Sequence, residues 1–269
     1  MQLPKSYTEH PLWLTIDVEV LEDANFGITP KHPLSIDYEA IIEEWIELCD
    51  RHNTKSCAFI LGSFAKKYPN AVRKLHEAGH DIACHGLRHE LVYKLPFDLW
   101  KRELAQAKVI LEDIIGKSIQ GYRSPSWSMP FEKRYYEALL ELGFSYSSSY
   151  FPFKTYMYGN SIDKKHPFKI TTQNGTITEI PVPKLFIPFS GGFYLRVLPF
   201  FTTRALFTNL IKKKIKPIIY THPYELQKQL FFKHLKDMVL DKAYLLTFMH
   251  SGSTTKRIET LLKIAKGST

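Results

Sequence analysis

Two carboxylates separated by one residue follow an apolar run near the start of the chain. The run begins at Leu12 and ends in Ile16-Asp17-Val18-Glu19. Side chains two residues apart on an extended strand point to the same face, so Asp17 and Glu19 would lie side by side. One of them can bind a metal ion while the other accepts a proton from an attacking water molecule. The alternative is a solvated strand end without a chemical role.

A pair of histidines four residues apart follows a later apolar run. His85 and His89 occur in the sequence His-Gly-Leu-Arg-His. Positions i and i+4 share one face of a helical turn, so both imidazoles can reach one ion. A catalytic zinc ion takes three protein ligands and keeps one position open, and Asp17 or Glu19 can supply the third. Without that carboxylate, a histidine pair of this spacing would be a capping or surface pair.

A guanidinium and another imidazole end two further apolar runs. Arg123 follows Gly121-Tyr122 and can pair with a carboxylate and keep it ionised. His222 follows Ile218-Ile219-Tyr220. Taken singly, these residues also fit a surface ion pair and a hydrogen-bonded core histidine. Together with the carboxylates and the histidine pair, they form a set that a metal-dependent hydrolase needs and a structural fold does not.

Strands that alternate with helices must position these side chains. Six apolar runs have the length of strands, at residues 12–18, 56–61, 80–84, 119–122, 144–148 and 217–221. Segments with helical spacing lie between most of them, and Asn174-Gly175 predicts a hairpin. The pattern predicts an α/β fold, a distorted (β/α) TIM-like barrel of about seven parallel strands, with a doubly wound open sheet as the alternative. Both folds gather polar side chains at the carboxyl ends of their strands.

Four ordered motifs make the chain resemble the polysaccharide deacetylases of carbohydrate esterase family four, which share the NodB-homology domain. The motifs are Thr15-Ile-Asp17-Val-Glu19, His85-Gly-Leu-Arg-His89, Arg123-Ser-Pro125-Ser-Trp127 and Tyr220-Thr-His222-Pro. The resemblance covers roughly residues 10 to 225. The stretches GHDIACHGLRHELVY, GYRSPSWS and GGFYLRVLP look similar to the branch found in exopolysaccharide and O-antigen loci.

The resemblance implies a role for each residue of the predicted site. Asp17 would be the general base, Arg123 would hold it in its working state, and His222 would protonate the leaving amine. His85 and His89 would bind a divalent metal ion, with zinc expected. The implied or suggested sugar contacts are Trp127, Pro125, Tyr93, Tyr194 and Arg196.

Two positions depart from the family pattern. The usual first motif has two adjacent aspartates, the second of which binds the metal, but Val18 stands at that second position. Glu19 is therefore predicted to be the carboxylate ligand. The branch also carries an aspartate where this chain has Ser147, and that aspartate tunes the catalytic histidine. Either another carboxylate serves His222, or the histidine is a weaker acid and activity is reduced or lost.

The expected function is removal of acetyl from an N-acetylated amino sugar of a cell-surface polysaccharide or of its lipid-linked or nucleotide precursor. One alternative is a deformylase or another C–N amide hydrolase of the same fold. A second alternative is a catalytically impaired member that acts as a membrane-associated binding protein.

Positive charge is concentrated at the carboxyl end of the chain. The 269 residues have a formal net charge of +9, of which +8 falls in residues 211–269. We therefore expect a catalytic barrel at 10–225 and a helical basic extension at 226–269. Lysines interspersed with Phe231, Phe232, Leu235 and Met238 predict an amphipathic helix that can bind an anionic membrane surface. The region has one arginine, Arg257, and no known DNA-binding motif, which argues against nucleic acid as a partner.

The cysteines and the amino-terminal sequence predict the compartment. The chain has three cysteines without a CxxC spacing, which is typical of a reducing environment. The first residues lack the charged and apolar regions of a signal peptide, and no apolar stretch reaches about 18 residues. The expected location is cytoplasmic, where the basic extension can hold the protein at the inner membrane.

Overall fold

A curled eight-stranded sheet forms the centre of the fold. The computed structural model describes residues 3–24, 35–153, 159, 163–185, 189, 191–226 and 253–267. The strands are β1 (Trp13–Val18), β2 (Cys57–Ile60), β3 (Asp81–Cys84), β4 (Gly121–Tyr122), β5 (Tyr146–Ser147), β6 (Phe168–Thr172), β7 (Gly175–Glu179) and β8 (Ile218–Thr221). Their order across the sheet is β6-β7-β5-β4-β3-β2-β1-β8.

The sheet confirms the predicted fold class. Every ladder except β6–β7 is parallel, so seven strands share one direction and β6 alone runs against them. The predicted hairpin at Asn174-Gly175 joins β6 to β7 and so places β7 beside β5. No ladder joins β8 to β6 within the described residues, which makes the sheet a half-barrel.

Nine described helices cover the sheet and the ends of its strands. They are α1 (Lys5–Thr8), α2 (Tyr38–Arg51), α3 (Gly62–Lys67), α4 (Pro69–Glu77), α5 (Phe97–Ile115), α6 (Lys133–Glu141), α7 (Phe193–Val197), α8 (Phe200–Lys212) and α9 (Thr254–Gly267).

Local sequence explains where these helices begin, end and pack. Asp37 caps α2 by accepting a hydrogen bond from the backbone N–H of Ala40 at 3.0 Å. The buried face of α2 includes Trp45, whose Nε1 donates to Ser56 Oγ at 2.9 Å. Gly116 ends α5 in the left-handed conformation, with φ of 66°. The residues of β1 and β2 are all buried, as expected for parallel strands covered on both faces.

The described part of the carboxyl-terminal region packs on the same body. Gly191 forms a parallel bridge with Tyr220 on β8, and α7 and α8 follow directly. The Arg257 guanidinium of α9 donates to the carbonyls of Leu195 and Leu198. The predicted helical character of the extension is confirmed in α9. The aromatic and apolar residues assigned to membrane binding, Phe231, Phe232, Leu235 and Met238, lie outside the described residues. Within the described ranges, no helix is long and apolar enough to cross a membrane.

Candidate active site

Three side chains able to bind a metal converge where β1 and β3 end. Glu19 follows β1, while His85 and His89 follow β3. One ligand atom from each residue lies within 4.8 Å of the other two. Glu19 Oε2 is 3.0 Å from His89 Nε2 and 4.0 Å from His85 Nε2. Glu19 and His85 are both buried, and they lie close together because β2 alone separates β1 from β3 in the sheet.

The two histidines lie on an irregular loop, so the predicted helical turn is wrong. Gly86 has a φ of 102°, which L side chains rarely adopt, and it directs the chain away from a helical path directly after His85. The loop nevertheless brings the two rings together, with ring centroids 5.5 Å apart.

The hydrogen bonds and burial of this cluster fit a bound divalent cation. His85 Nδ1 lies 2.8 Å from the carbonyl oxygen of Arg123. Because that oxygen can only accept, Nδ1 carries the proton and Nε2 is left to bind a metal. Burial lowers the pKa of His85 to about 4 and the pKa of His89 well below its usual range, so both rings are in the neutral, ligating form. Glu19 Oε2 is buried and has no hydrogen-bond partner among the described residues, as expected of a ligand atom.

Asp17 lies beside this cluster in a buried ion pair. Its Oδ1 accepts a hydrogen bond from Arg123 Nη1 at 2.6 Å. Arg123 also donates to Thr15 Oγ1 at 2.9 Å and to Ser148 Oγ at 3.3 Å, and its guanidinium stacks 3.9 Å from the centroid of Phe59. These contacts fix the arginine and therefore the carboxylate that it holds.

His222 approaches the cluster from the other side. It follows β8, the neighbour of β1, and its Nε2 is 3.8 Å from Glu19 Oε1. The Tyr224 hydroxyl donates to the same Glu19 oxygen at 3.0 Å, and the Tyr224 ring stacks on His222 with centroids 5.1 Å apart. The His222 side chain keeps 13% of its surface exposed, which leaves it accessible to a substrate.

A carboxylate that the sequence interpretation missed serves His222. Glu225 Oε1 lies 2.8 Å from His222 Nδ1. Burial lowers the pKa of His222, but the charges of Glu225 and Glu19 and the hydrogen bond to Glu225 outweigh it and raise that pKa to about 9. Of the two alternatives, the structure therefore supports the one in which another carboxylate serves His222, and the raised pKa keeps the ring protonated at neutral pH. A polar residue followed three positions later by Glu is a known helix-start pattern, and His222 and Glu225 satisfy it as a capping box.

Ser147 and its neighbours support the site in another way. Ser147 Oγ donates to Ser149 Oγ at 3.0 Å, and Ser149 Oγ accepts from the backbone N–H of Ser124 at 2.9 Å. Glu179, at the end of β7, accepts from the backbone N–H groups of Ser149 and Tyr150 at 2.7 and 2.9 Å. These hydrogen bonds thus fix the segment whose serine hydroxyls accept from the Arg123 side chain and from the backbone N–H of Ser124.

The predicted sugar contacts lie at different depths. Trp127 and Pro125 are buried near Arg123; the Trp127 ring is 4.8 Å from Tyr220 and its backbone φ is 51°, a strained value for a residue with a side chain. Tyr93 is 44% exposed, and Tyr194 is half-buried. Arg196 is buried, and its Nη2 pairs with Glu225 Oε1 at 2.8 Å. Direct sugar contacts by Trp127, Pro125, Tyr93 and Tyr194 stay predictions, and the burial of Arg196 in this ion pair argues against a direct contact there.

Family models divide the chain into two matched segments. The model described as "Polysaccharide deacetylase" matches residues 10–147, slightly more than half of the chain. The chain belongs to the polysaccharide deacetylase family. A second model, described as a domain of unknown function (DUF3473), matches residues 148–267. Asp17, Glu19, the two clustered histidines and Arg123 lie in the deacetylase match, whereas His222 lies in the second.

Known proteins share the fold and short stretches of sequence. A peptidoglycan-N-acetylglucosamine deacetylase from Bacillus cereus is 26% identical over 87 residues, which cover 32% of each chain. The chain therefore spans about a third of the length of that curated relative. A crystal structure from Mycobacterium smegmatis assigned to the polysaccharide deacetylases has a TM-score of 0.61 at 19% identity, covering 99% of this chain and 92% of the other. A "probable Polysaccharide deacetylase" from Pseudomonas aeruginosa has a TM-score of 0.62 at 14% identity, with 96% and 88% covered.

Proposed function

We propose that this protein is a metal-dependent N-deacetylase that removes acetyl from an N-acetylated amino sugar. The observation that carries the proposal is the arrangement of three groups around one point. Glu19, His85 and His89 form a ligand cluster, with the Asp17–Arg123 pair beside it and His222 Nε2 within 3.8 Å of Glu19. A metal-dependent amide hydrolase needs a metal site, a base and an acid, and the arrangement supplies candidates for all three.

Each side chain has a defined task in this mechanism. A divalent cation held by Glu19, His85 and His89 would polarise the acetamide carbonyl as a Lewis acid. Asp17, held in place by Arg123, accepts a proton from the attacking water. His222 donates a proton to the amine nitrogen as the C–N bond breaks. One water is consumed, and acetate and the free amino sugar are released.

The substrate class is proposed from the family and from the site together. Trp127, Pro125, Tyr93 and Tyr194 are the proposed sugar contacts. Arg196, the fifth residue suggested from the sequence, is buried and acts through its ion pair with Glu225. The substrate would be a cell-surface polysaccharide of the exopolysaccharide or O-antigen type, or its lipid-linked or nucleotide precursor. Zinc is the proposed metal, since two imidazoles and one carboxylate suit it.

Product analysis tests the reaction. Zinc-loaded protein is incubated with N-acetylated and N-formylated amino sugars, and released acetate and formate are measured. The proposal predicts acetate release by the wild type and its loss in Asp17→Asn. Formate release without acetate would establish the deformylase alternative instead. If no nucleotide-linked or lipid-linked sugar releases either product, the protein would be a binding protein without catalytic activity. Impairment was expected because Ser147 stands in place of an aspartate, and the contact of Glu225 with His222 removes that reason.

A cytoplasmic location at the inner membrane is a separate proposal. It is supported by the net charge of +8 in residues 211–269. Anionic lipid attracts juxtaposed lysines with about 1 kcal/mol each. Co-sedimentation of the full chain with anionic and with neutral vesicles tests it. Preferential binding to the anionic vesicles is expected, and equal partition would contradict the proposal.

A further inference from the structure

The partner of His222 is itself held by three groups. Glu225 Oε1 accepts from Arg196 Nη2 at 2.8 Å, in an ion pair whose side chains are 2% and 1% exposed. Its Oε2 accepts from Thr221 Oγ1 at 2.9 Å and from the backbone N–H of His222 at 3.3 Å. A buried carboxylate with this many donors has little freedom to rotate, so the direction of its bond to His222 is fixed.

The contact with Glu225 determines how the His222 ring is oriented. Burial raises the pKa of Glu225, but the charges of Arg196 and His222, together with hydrogen bonds from His222 and Thr221, outweigh it and lower that pKa to about 2. An ionised carboxylate only accepts hydrogen bonds. Nδ1 of His222 therefore carries a proton, and Nε2 faces Glu19 of the ligand cluster.

Arg196 reaches Glu225 because a pair of glycines lies directly against β8. Gly191 has a φ of 93°, and a Cβ on it would lie 2.7 Å from the carbonyl oxygen of Tyr220. The backbone N–H of Gly192 donates to that same oxygen at 2.7 Å, and the carbonyl of Gly192 accepts from Arg196 Nε at 3.3 Å. No other residue type allows the backbones to approach this closely, so Gly191 and Gly192 determine where α7 begins.

The far side of α7 is held by the last described helix. Arg257 on α9 donates to the carbonyls of Leu195 and Leu198, which flank Arg196 and the end of α7. Both hydrogen bonds come from Nη1, so one guanidinium nitrogen serves two carbonyls at the helix end. The region matched by the DUF3473 model therefore forms one connected scaffold from α9 through α7 to β8 and His222.

We propose that Glu225 and Arg196 are a positioning pair for His222, and that the Gly191-Gly192 contact with β8 sets the place of Arg196. The pair does the work of the aspartate that Ser147 replaces. The pair also gives the second matched segment, residues 148–267, a role in the chemistry, because His222, Glu225 and Arg196 all lie in that segment. The inference rests on the proposed function only where activity is the readout.

The primary test is the state of the His222 ring, which can be read without any turnover. Zinc-loaded protein labelled with ¹⁵N-histidine is compared as wild type, Glu225→Gln and Arg196→Lys, and His222→Gln identifies the signal. In the wild type, the His222 signal is expected to show a fixed, protonated Nδ1. Glu225→Gln is expected to give averaged ring signals, because an amide side chain can donate to Nδ1 as well as accept from it and so no longer fixes one ring state. An unchanged signal in Glu225→Gln would overturn the proposal.

Kinetics provide the second readout. In Glu225→Gln we expect kcat to fall by about 10²-fold while KM stays within about threefold, because the acid and not the binding site is affected. Arg196→Lys keeps the charge and should retain more kcat than Arg196→Met. Metal content should be equal in all variants, and the exposed Glu77→Gln is the control. Equal loss of kcat in Arg196→Lys and Arg196→Met, without a ring change, would contradict a positioning role. If the wild type releases no acetate but Glu225→Gln still changes the ring signal, the proposed reaction fails and the positioning pair stands.

Discussion

The buried carboxylate of Glu179 should make the protein less stable as the pH rises toward neutrality. Glu179 is fully buried and accepts two backbone hydrogen bonds, from Ser149 and Tyr150. Burial outweighs the hydrogen bonds that favour its charged form and raises the pKa of Glu179 to about 7. Between about pH 4.5 and 7, the unfolded chain loses this proton while the folded protein keeps it, so the free energy of unfolding falls with increasing pH.

The size of the effect follows from the shift. A rise from the reference value of 4.5 to about 7 corresponds to about 3 kcal/mol at 1.36 kcal/mol per pKa unit. Glu179→Gln keeps a carbonyl oxygen for the two N–H groups and cannot ionise. The stability of the variant relative to the wild type should therefore rise by about 3 kcal/mol between pH 4.5 and pH 8, which is roughly 6–12 °C in Tm.

Urea unfolding followed by tryptophan fluorescence at several pH values measures this difference. The exposed Glu77→Gln is the matched control and should follow the wild type throughout. Parallel pH curves for the wild type and Glu179→Gln would refute the reasoning, because they would show that Glu179 has the same proton affinity in the folded and unfolded states.

Three further substitutions test separate parts of the site. Asp17→Asn should lower kcat by about 10²- to 10⁴-fold with metal content unchanged, as a base outside the ligand cluster would; loss of the metal would instead make Asp17 a ligand. Trp127→Phe should raise KM for the saccharide with kcat nearly constant, and an unchanged KM would remove Trp127 from the sugar contacts. Gly191→Ala should destabilise the protein by about 2 kcal/mol in chemical unfolding, because its Cβ would meet Tyr220; Gly116→Ala, which has a positive φ but open space, should cost less. Equal costs for the two alanines would contradict the close approach.

The strand-end residues could be predicted because their spacing is local. A period of two predicts that Asp17, in β1, and Glu19, directly after it, lie on one face, and parallel strands bring their carboxyl ends to one edge. This logic correctly brought His85, Arg123 and His222 to the same place. It failed for the loop between His85 and His89, where a single glycine with positive φ replaced the expected helical turn.

The contacts of Glu225 with His222 and of Arg196 with Glu225 could not be predicted from residue spacing. Glu225 reaches His222 through a short turn after β8, and Arg196 reaches Glu225 from α7, 29 positions earlier in the chain. Whether Arg196 is buried or exposed depends on which face α7 presents, and the glycine contact with β8 determines that face. The Asn174-Gly175 pair predicted the hairpin itself. The parallel pairing of β7 with β5 depends on tertiary packing, which no local sequence signal specifies.

Metal content measured together with acetate release tests the central claim most directly. Wild type, Glu19→Ala and the exposed control Glu22→Ala are reconstituted with zinc, dialysed and analysed by elemental mass spectrometry. The ligand cluster predicts about one tightly held ion per chain and acetate release in the wild type and in Glu22→Ala, and loss of both in Glu19→Ala. Retention of both metal and activity in Glu19→Ala would contradict the assignment of Glu19, His85 and His89 as the catalytic metal site.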